Sequence, residues 1–593
     1  MAEPQAVRRW VATTLFVFGL VWVGYLGWSG LKAKSSAEAG RDRLELLAED
    51  PVPEAILRGE LDEDMRLARA DFDDAAGRLG GLAFWPVRQL PWIGRQVRSA
   101  SSMSGAGREV LDIALELTAT SSPLMDQLDA GTLDEGDALA ALGPVLGELH
   151  QQAIDIDLGP DEALFGPLSS ARIELGDRHA QLVDALGRSA AATIGVADFL
   201  EGPGTYLLFA ANNAQMQSGS GKLLSVGTLE VRDGDVSVGL VRSIATLELP
   251  SPAVELEADF AARWGWLEPG SIWANLGLTP RFDVTAATAL DMWDAIGNSP
   301  VDGVVIVDPV ALSAVIRGTG SIVVDGEDFS ADSLLTELLH DQYFDIGEEG
   351  IVEGSEIEAN QTLRRDRLAS IAAAVMATIT NDDVDQLSVL LELDDAARGR
   401  HIMFYSVDPT QQRAWSAAQL SGELQSDSMM LSLVNRSATK SDQFINLSSR
   451  VEVLPAAEGS ARERTEVVVT VTIQNNVPLG EPSYIAGARP ELGLLYGDYL
   501  GVLALNIPGA AANGRVDDDE HLAVVGADGP TRVVGSWVTV PQGQSVTRVF
   551  RFDLPKGFET IRVEPSARVP VVFWDAGGLV FDDSLPNEIV VAP

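Results

Sequence analysis

The spacing of hydrophobic and polar positions divides the chain into four stretches. An uncharged apolar run comes first, a region with helical spacing follows, a mixed region occupies the middle, and a β-branched region closes the sequence. Apolar residues three and four positions apart share one face of a helix, whereas alternation is typical of a half-buried strand. The pattern therefore predicts an α+β multidomain protein with boundaries near residues 35, 200 and 445.

The first stretch contains the uncharged run Trp10–Leu31. As a helix rising about 1.5 Å per residue, it is long enough to cross a hydrocarbon core of about 30 Å. We therefore expect residues 1–35 to form a short cytoplasmic tail and a single transmembrane helix, which anchors an otherwise extracytoplasmic chain in the cell membrane. The alternative is a cleaved signal peptide, for which Ser35 and Ala37 supply small residues.

Residues 36–200 carry the helical spacing, and we expect a helical stalk or bundle there. The segment Phe84–Gln96 interrupts the pattern, because it places two prolines and a glycine among large apolar side chains. Two interpretations are open for this segment. It is either an ordinary buried connector or a surface that rests on the membrane or on a neighbouring domain.

Residues 201–445 mix strand-like and helical segments, which predicts a central α/β layered domain. The expected strands are Thr205–Ala210, Leu229–Arg232, Val236–Val241, Gly303–Val307 and His401–Ser406. Asp233 and Gly234 supply a tight hairpin turn between the second and third of these strands. The expected helices are Thr285–Ile296, Pro309–Arg317 and Arg364–Ile379.

Residues 446–593 are β-branched, partly alternating segments separated by Gly, Pro and Asn turns. We expect an immunoglobulin-like β-sandwich, a module that usually binds or spaces. Its expected partners are envelope glycans, another protein or the preceding domain.

Composition excludes several classes of site. The chain has 87 acidic and 42 basic side chains, a net charge of −45, so a nucleic-acid-binding surface is not expected. It has no cysteine, which excludes disulfides, thiolate zinc sites and a cysteine nucleophile. The GSGK stretch ending at Lys222 is not a phosphate-binding P-loop, because Leu223 replaces the required Ser or Thr.

The segment Thr205–Leu240 places a polar Gly/Ser-rich turn between two apolar runs, which favours a site-forming loop over a packing unit. It resembles the signature of the domain of unknown function 4012 family of bacterial membrane-anchored proteins. The matching residues are Asn212, Asn213, Ala214, Ser220 and Gly221. Further blocks in the same order extend the resemblance over Tyr206–Phe444. The acidic and arginine positions of the usual signature hold Gln215 and Gln217, which removes charge that a phosphate-binding role would use.

Residues 301–324 are similar to the LytR-CpsA-Psr family of cell-envelope glycopolymer transferases. This resemblance implies arginines that hold the pyrophosphate of a lipid-linked glycan and acidic groups that hold a divalent cation. The family's arginine-dense segment corresponds best to Arg364, Arg365, Asp366 and Arg367, which this resemblance makes the catalytic candidates. Asp302 and Asp308 bracket the expected strand Gly303–Val307 and are the candidates for Mg²⁺ binding, with waters as the other ligands. The alternatives are a solvated helix start for the arginines, and a strand cap and a helix cap for the two aspartates.

Further candidates for ligand binding surround the polar turn. They are Asn212, Asn213, Gln217, Ser220, Lys222, Arg242, Arg281 and Lys440. The four cations of this set are scattered along the sequence. The fold either collects them around one anion or leaves each at the surface.

Two function classes follow. The first is a membrane-anchored, extracytoplasmic phosphotransferase-like protein that binds polyprenyl pyrophosphate-linked glycan and takes part in the attachment or assembly of a cell-wall polymer. The second is a non-catalytic envelope scaffold, or a module that binds glycan or protein. Convergence of the arginines Arg364, Arg365 and Arg367 with Lys222, Arg242 and a pair of aspartates in one groove would favour the first class, whereas dispersed cations would favour the scaffold.

Overall fold

The computed structural model of the protein describes residues 26, 28–44, 46, 53–249, 254–346, 367, 370–375, 377–378, 386–454, 464–517 and 519–591. The chain divides into two compact units, Met1–Asp198 and Phe199–Pro593. The first unit is helical and the second combines helices with four sheets, so the fold is α+β.

The predicted fold class needs one correction, which concerns the transmembrane helix over Trp10–Leu31. Within the described part of the chain, none of the helices combines the length and the apolar character needed to cross a membrane. Residues 10–25 and 27 of that segment lie outside the described residues.

The first unit is built from helices with apolar stripes. Residues 28–44 are helical, and the labelled helices are α1 (Pro53–Arg58), α2 (Asp62–Gly80), α3 (Trp85–Arg88), α4 (Ile93–Asp129), α5 (Glu135–Ile154) and α6 (Gly166–Glu201). Phe72 of α2 and Leu111 of α4 share one buried cluster, and Leu149 of α5 lies in another. The Asp134 side chain begins α5 by accepting the N–H of Asp137 at 2.8 Å.

The central part of the second unit is a mixed sheet in the order β3-β2-β1-β5-β8, with β4 beside β2 and a separate β6–β7 hairpin. Its strands are β1 (Gly204–Met216), β2 (Gly221–Arg232), β3 (Asp235–Val238), β4 (Arg242–Ser243), β5 (Gly303–Val307), β6 (Ile322–Val324), β7 (Glu327–Phe329) and β8 (Ile402–Ser406). β1 is parallel to β5 and antiparallel to β2. Asp233 and Gly234 form the predicted turn between β2 and β3.

The helices of this part are α7 (Ala258–Trp264), α8 (Phe282–Ala295), α9 (Pro309–Thr319), α10 (Ala331–Leu339), α11 (Gln386–Arg398) and α12 (Pro409–Ala417). Phe260 and Trp264 of α7 share a buried cluster with Val524, a residue of the C-terminal β-region. Phe209 of β1 and Met292 of α8 share one buried cluster. Trp415 of α12 stacks on Phe404 of β8, with ring centroids 4.9 Å apart.

The remainder is a sandwich of two six-stranded sheets, in the orders β13-β16-β11-β10-β18-β19 and β14-β15-β12-β9-β17-β20. Its strands are β9 (Ser428–Asn435), β10 (Ile445–Leu454), β11 (Arg464–Asn475), β12 (Tyr499–Pro508), β13 (Ala512–Val516), β14 (Leu522–Asp528), β15 (Thr531–Val540), β16 (Ser545–Pro555), β17 (Thr560–Val563), β18 (Phe573–Ala576), β19 (Leu579–Asp582) and β20 (Asn587–Val590). A short helix, α13 (Ser483–Ala486), lies between β11 and β12.

Strand β9 precedes residue 446 but belongs to the sandwich, because it pairs with β12 and β17. All eight of its residues are buried, so it shows no alternation that sequence could reveal. The parallel pairs β9–β17 and β10–β18 also differ from the all-antiparallel seven-stranded immunoglobulin constant layout.

Candidate functional site

The polar turn of the family signature is the end of the β1–β2 hairpin, and it is buried. Gln217 donates its backbone N–H to Ser220 O at 3.0 Å, and Gly219 has a φ of 73°, which favours glycine. The side chains of this region are enclosed by protein; the buried residues are Asn212, Asn213, Gln215, Gln217, Ser218 and Ser220. The turn therefore packs against the 3₁₀ segment Trp273–Leu278, where Gln217 Nε2 donates to Ala274 O at 2.7 Å.

Asn213 connects three parts of the second unit. Its Nδ2 donates to Asp308 Oδ2 and to Ala567 O, both at 2.7 Å. Asp308 is also the N-cap of α9, since Oδ1 accepts the N–H of Val310 at 2.9 Å, and its Oδ2 lies 2.7 Å from His401 Nδ1. Both lone-pair regions of this carboxylate are therefore used by protein groups.

Asp302 and Asp308 do not fit a shared Mg²⁺ site. They bracket the five-residue strand β5, so they lie at opposite ends of an element about 17 Å long. Asp302 Oδ2 accepts the N–H of Thr205 at 2.7 Å, which ties the starts of β5 and β1 together. Within the described ranges, no group of three or more His, Asp or Glu side chains could hold a metal ion.

Asp442 joins the signature region to the sandwich. Its Oδ2 accepts the backbone N–H of Met216 at 3.0 Å and Nδ2 of Asn435 at 2.6 Å, while Oδ1 accepts Arg568 Nη1 at 3.1 Å and Tyr499 Oη at 2.9 Å. Asp442 and Arg568 are fully buried, so this is a desolvated ion pair, and both carboxylate oxygens of Asp442 are satisfied by protein donors. Burial, followed by the Asp442 charge, raises the pKa of Tyr499 well above its ordinary value.

The predicted catalytic cluster is only partly described. Arg364, Arg365 and Asp366 lie outside the described residues. Arg367 donates to Glu337 Oε1 at 2.8 Å and to Glu327 Oε2 at 2.6 Å. Burial opposes its charge, but these two carboxylates raise the pKa of Arg367 overall. The Arg367 guanidinium is therefore committed to two acids of its own unit.

Two other predicted cations are also engaged by side chains of their own unit. Arg281 is buried and ion-paired, with Nε 2.9 Å from Asp528 Oδ1 and Nη2 2.8 Å from Glu257 Oε2. Arg242 lies on the exposed strand β4, with its guanidinium 5.4 Å from the centroid of the Trp293 ring.

Lys222 differs from these arginines, because its close charged neighbour is another cation. It is the second residue of β2, its register partner is Asn212, and its side chain is half-buried. Burial lowers the pKa of Lys222, and the Arg436 charge lowers it further; burial also lowers the pKa of Arg436. Neither residue forms an ion pair with any residue that the structure describes. The two cations thus form a region of positive potential without a protein acid.

Lys440 lines a pocket between the signature strand and the sandwich. This junction pocket has a volume of about 470 Å³ and is lined by Gln215, Ala438, Lys440, Tyr484, Ala488, Arg489 and Glu491. Lys440 Nζ lies 5.9 Å from the centroid of the Tyr343 ring, and Tyr343 stacks on Tyr484 with centroids 5.4 Å apart. Because Tyr343 Oη accepts Nδ2 of Asn212 at 2.9 Å, the signature asparagine supports the wall of the pocket.

Gln215 is the signature residue that reaches the junction pocket. Its side chain forms no hydrogen bond with a described residue, so its amide is available to a ligand. Lys440 and Arg489 contribute two positive charges and Glu491 contributes one negative charge. This lining can offer cations to an oxyanion, an amide to hydroxyl groups and the ring of Tyr484 to an apolar face.

The sequence identified only some of the residues described above. It selected Lys222 and Lys440 as ligand-binding candidates, but not Arg436, Tyr484, Arg489 or Glu491. Residues 483–491 fall between two sandwich strands and carry no recognised motif. The Gly and Pro positions around Arg489 indicate an irregular loop, which is where binding residues concentrate.

Comparison with known proteins supports the resemblance found at the polar turn. A search of curated proteins gives no match. The segment 201–343, which contains β1, the polar turn and the strand β5, matches the family described as "Protein of unknown function (DUF4012)".

Proposed function

We propose that the protein is a ligand-binding protein of the bacterial cell envelope, and that it holds a phosphate-bearing glycan in the junction pocket. The observation that carries this proposal is the placement of Lys440, Arg489 and the free amide of Gln215 around one cavity. A volume of about 470 Å³ falls within the range of roughly 300–1,000 Å³ of small-molecule pockets. In so acidic a chain, a cavity that is lined by Arg489 and has the buried ammonium group of Lys440 beneath its surface favours an anionic ligand.

The chemistry of the lining narrows the ligand class. Arg489 donates from its two terminal nitrogens to the carbonyls of Ala488 and Ala438 and contributes a delocalised charge to the lining, whereas Lys440 contributes a point charge. Gln215 offers both a donor and an acceptor, which suits the hydroxyl groups of a sugar. The half-buried Lys222 and Arg436 supply further positive potential in the same unit. We therefore expect a sugar phosphate to bind better than either the sugar or phosphate alone.

Calorimetric titration of the intact protein with glucose 1-phosphate tests this function, with glucose and inorganic phosphate as the two halves of the ligand. We expect Lys440→Met and Arg489→Gln each to weaken binding about tenfold, which corresponds to the loss of one charge-assisted hydrogen bond. Gln215→Glu adds a carboxylate to the lining and is expected to weaken binding as well. Arg450→Met is the matched control, because Arg450 forms an exposed ion pair with Asp575.

Glucose 1-phosphate that fails to bind, or binds equally well to wild type and to both cation variants, contradicts the proposal. Thermal unfolding of each variant checks that it is folded. Arg489 is half-buried and Lys440 is buried, so Arg489→Gln keeps the test informative if Lys440→Met does not fold.

A second proposal is that the protein is a glycopolymer phosphotransferase. Its candidate catalytic residues are Arg364, Arg365, Asp366 and Arg367. Titration with polyprenyl pyrophosphate, with and without Mg²⁺, compares wild type with the double variant Arg365→Ala and Arg367→Ala. Binding that depends on these arginines and on Mg²⁺ would favour the transferase, whereas binding that is unchanged in the double variant would contradict it.

A further inference from the structure

The turn between α2 and α4 exposes large apolar side chains at one end of the helical unit. The exposed fractions are 91% for Leu82, 58% for Trp85 and 61% for Trp92, and Leu90 and Ile93 are about half exposed. Single exposed apolar residues are common on protein surfaces, but here five large ones lie within the short segment 82–93. We call residues 82–93 the apolar tip.

The backbone of the apolar tip is ordered by its own hydrogen bonds. Phe84 is buried, Leu90 donates its N–H to Val87 O at 3.0 Å, and Gly94 donates to Leu90 O at 3.0 Å. A Cβ at position 94 would lie 2.3 Å from Arg88 O, so only glycine permits this close approach. The tryptophans are therefore held outward by the fold, and the segment is not a buried connector.

The charge around the apolar tip is opposite to that of the whole chain. Residues 75–108 contain five arginines and no acidic residue, although the net charge of the protein is −45. Arg95 and Arg98 donate to the backbone carbonyls of Glu162 and Arg88. Together with Arg88 they form no ion pair with the residues that the structure describes, so their positive charges are not neutralised by protein.

Two further features define the surroundings of the apolar tip. A Cβ on Gly30 would lie 3.8 Å from the Phe84 ring, so the helical residues 28–31 pass beside the tip, and Trp28 and Leu31 are exposed there. The segment that packs against Arg95 and Gln96 carries the exposed acids Asp161 and Glu162.

We propose that the apolar tip docks on an anionic lipid surface, with Trp85, Trp92 and Leu82 in the boundary between headgroups and acyl chains. Tryptophan is enriched at this boundary, because its ring is apolar and its N–H is polar. Arg88, Arg95 and Arg98 lie where negatively charged headgroups attract cations. This surface lies on the helical unit and is independent of the junction pocket.

A site-specific fluorescent label tests the proposal, and the cysteine-free chain permits it without background labelling. Gln89→Cys in the full chain places an environment-sensitive fluorophore on the exposed apolar tip, and Lys556→Cys places the same fluorophore on an exposed turn of the second unit. The probes are vesicles of phosphatidylcholine with and without phosphatidylglycerol. We expect the residue 89 label to shift to the blue with anionic vesicles, and the residue 556 label to remain unchanged.

Variants separate the two contributions to docking. Trp85→Ser with Trp92→Ser is expected to weaken the vesicle response at least tenfold. Arg88→Gln with Arg95→Gln is expected to reduce it on phosphatidylglycerol vesicles only, and added salt is expected to do the same in wild type. Far-UV circular dichroism shows whether each variant keeps its helices.

Three outcomes overturn the proposal. In the first, the protein sediments with vesicles but the label at residue 89 does not respond. In the second, the label responds equally to vesicles of phosphatidylcholine alone. In the third, the label shifts to the blue without vesicles, and the shift grows with protein concentration. The last outcome would assign the apolar tip to contact with a second copy of the chain.

Discussion

Asp442 and Arg568 form a buried pair of opposite charges, whereas Lys222 and Arg436 in the same unit are half-buried cations that repel each other. We call the first the saturated pair, because the Asp442 carboxylate also accepts hydrogen bonds from Asn435, Tyr499 and the Met216 backbone. The second pair has no acidic partner among the described residues. A saturated ion pair holds a structure together, whereas an unmatched pair of cations is a place where an anion can bind.

Breaking the saturated pair is expected to have the largest effect. Arg568→Met leaves the Asp442 carboxylate buried without its cation, and a loss of roughly 3–5 kcal/mol in the free energy of unfolding is expected. Urea unfolding, followed by near-UV circular dichroism of the sandwich tryptophans, measures it. Arg450→Met is the control, and as an exposed pair it should change stability by about 0–1 kcal/mol. Equal effects of the two substitutions would contradict the role given to Asp442.

Substitution of Asn213 is expected to have the second-largest effect on stability. Asn213→Ala removes the donor to Asp308 and to Ala567 O and leaves both acceptors buried, so a loss of about 1–3 kcal/mol is expected. Asn446→Ala, at an exposed position of β10, should change stability by less than about 0.5 kcal/mol. A near-neutral Asn213→Ala would show that the polar turn does not hold the sheet and the sandwich together.

Removing one cation of the unmatched pair, Lys222 and Arg436, is expected to stabilise the protein. Lys222→Met removes a desolvated cation and its repulsion with Arg436, so we expect the free energy of unfolding to rise by roughly 1 kcal/mol in chloride buffer. Thermal unfolding of wild type and variant in the same buffer measures the difference. A clear loss of stability would mean that the Lys222 ammonium has a packing role, and the comparison with the saturated pair would fail.

The smallest effect is a pH dependence. Because burial and Arg436 lower the pKa of Lys222 below its ordinary value of 10.5, the folded protein binds fewer protons at this site than the unfolded chain does. Its contribution to stability therefore rises with pH through the window below 10.5 and levels off above it. The rise should be absent in Lys222→Met, and an identical pH profile of the two proteins would contradict the assignment.

Local signals in the sequence account for much of the fold. The run Gly303–Val307 is a strand with the predicted bounds, and Asp233-Gly234 makes a hairpin turn, because both depend on neighbouring residues only. Strand β9 could not be recognised, since it is buried throughout and its partner β12 begins more than sixty residues later. Loop lengths and charges do not specify such long-range pairing.

The site was less predictable than the fold. The polar turn drew attention correctly, but its polarity serves internal hydrogen bonds as well as a ligand site, which composition cannot distinguish. Arg568 and Asp442 are 126 positions apart, and Gln215 and Arg489 are still further apart in the chain. Only the folded sandwich brings Tyr484 and Arg489 to the signature strand.

A crystal structure of the protein grown with glucose 1-phosphate tests the central claim most directly. The account predicts that the phosphate lies against Lys440 and Arg489, with the sugar beside Gln215 and Tyr484. An empty junction pocket at a ligand concentration that saturates binding in solution, with the sugar phosphate bound elsewhere, would contradict it.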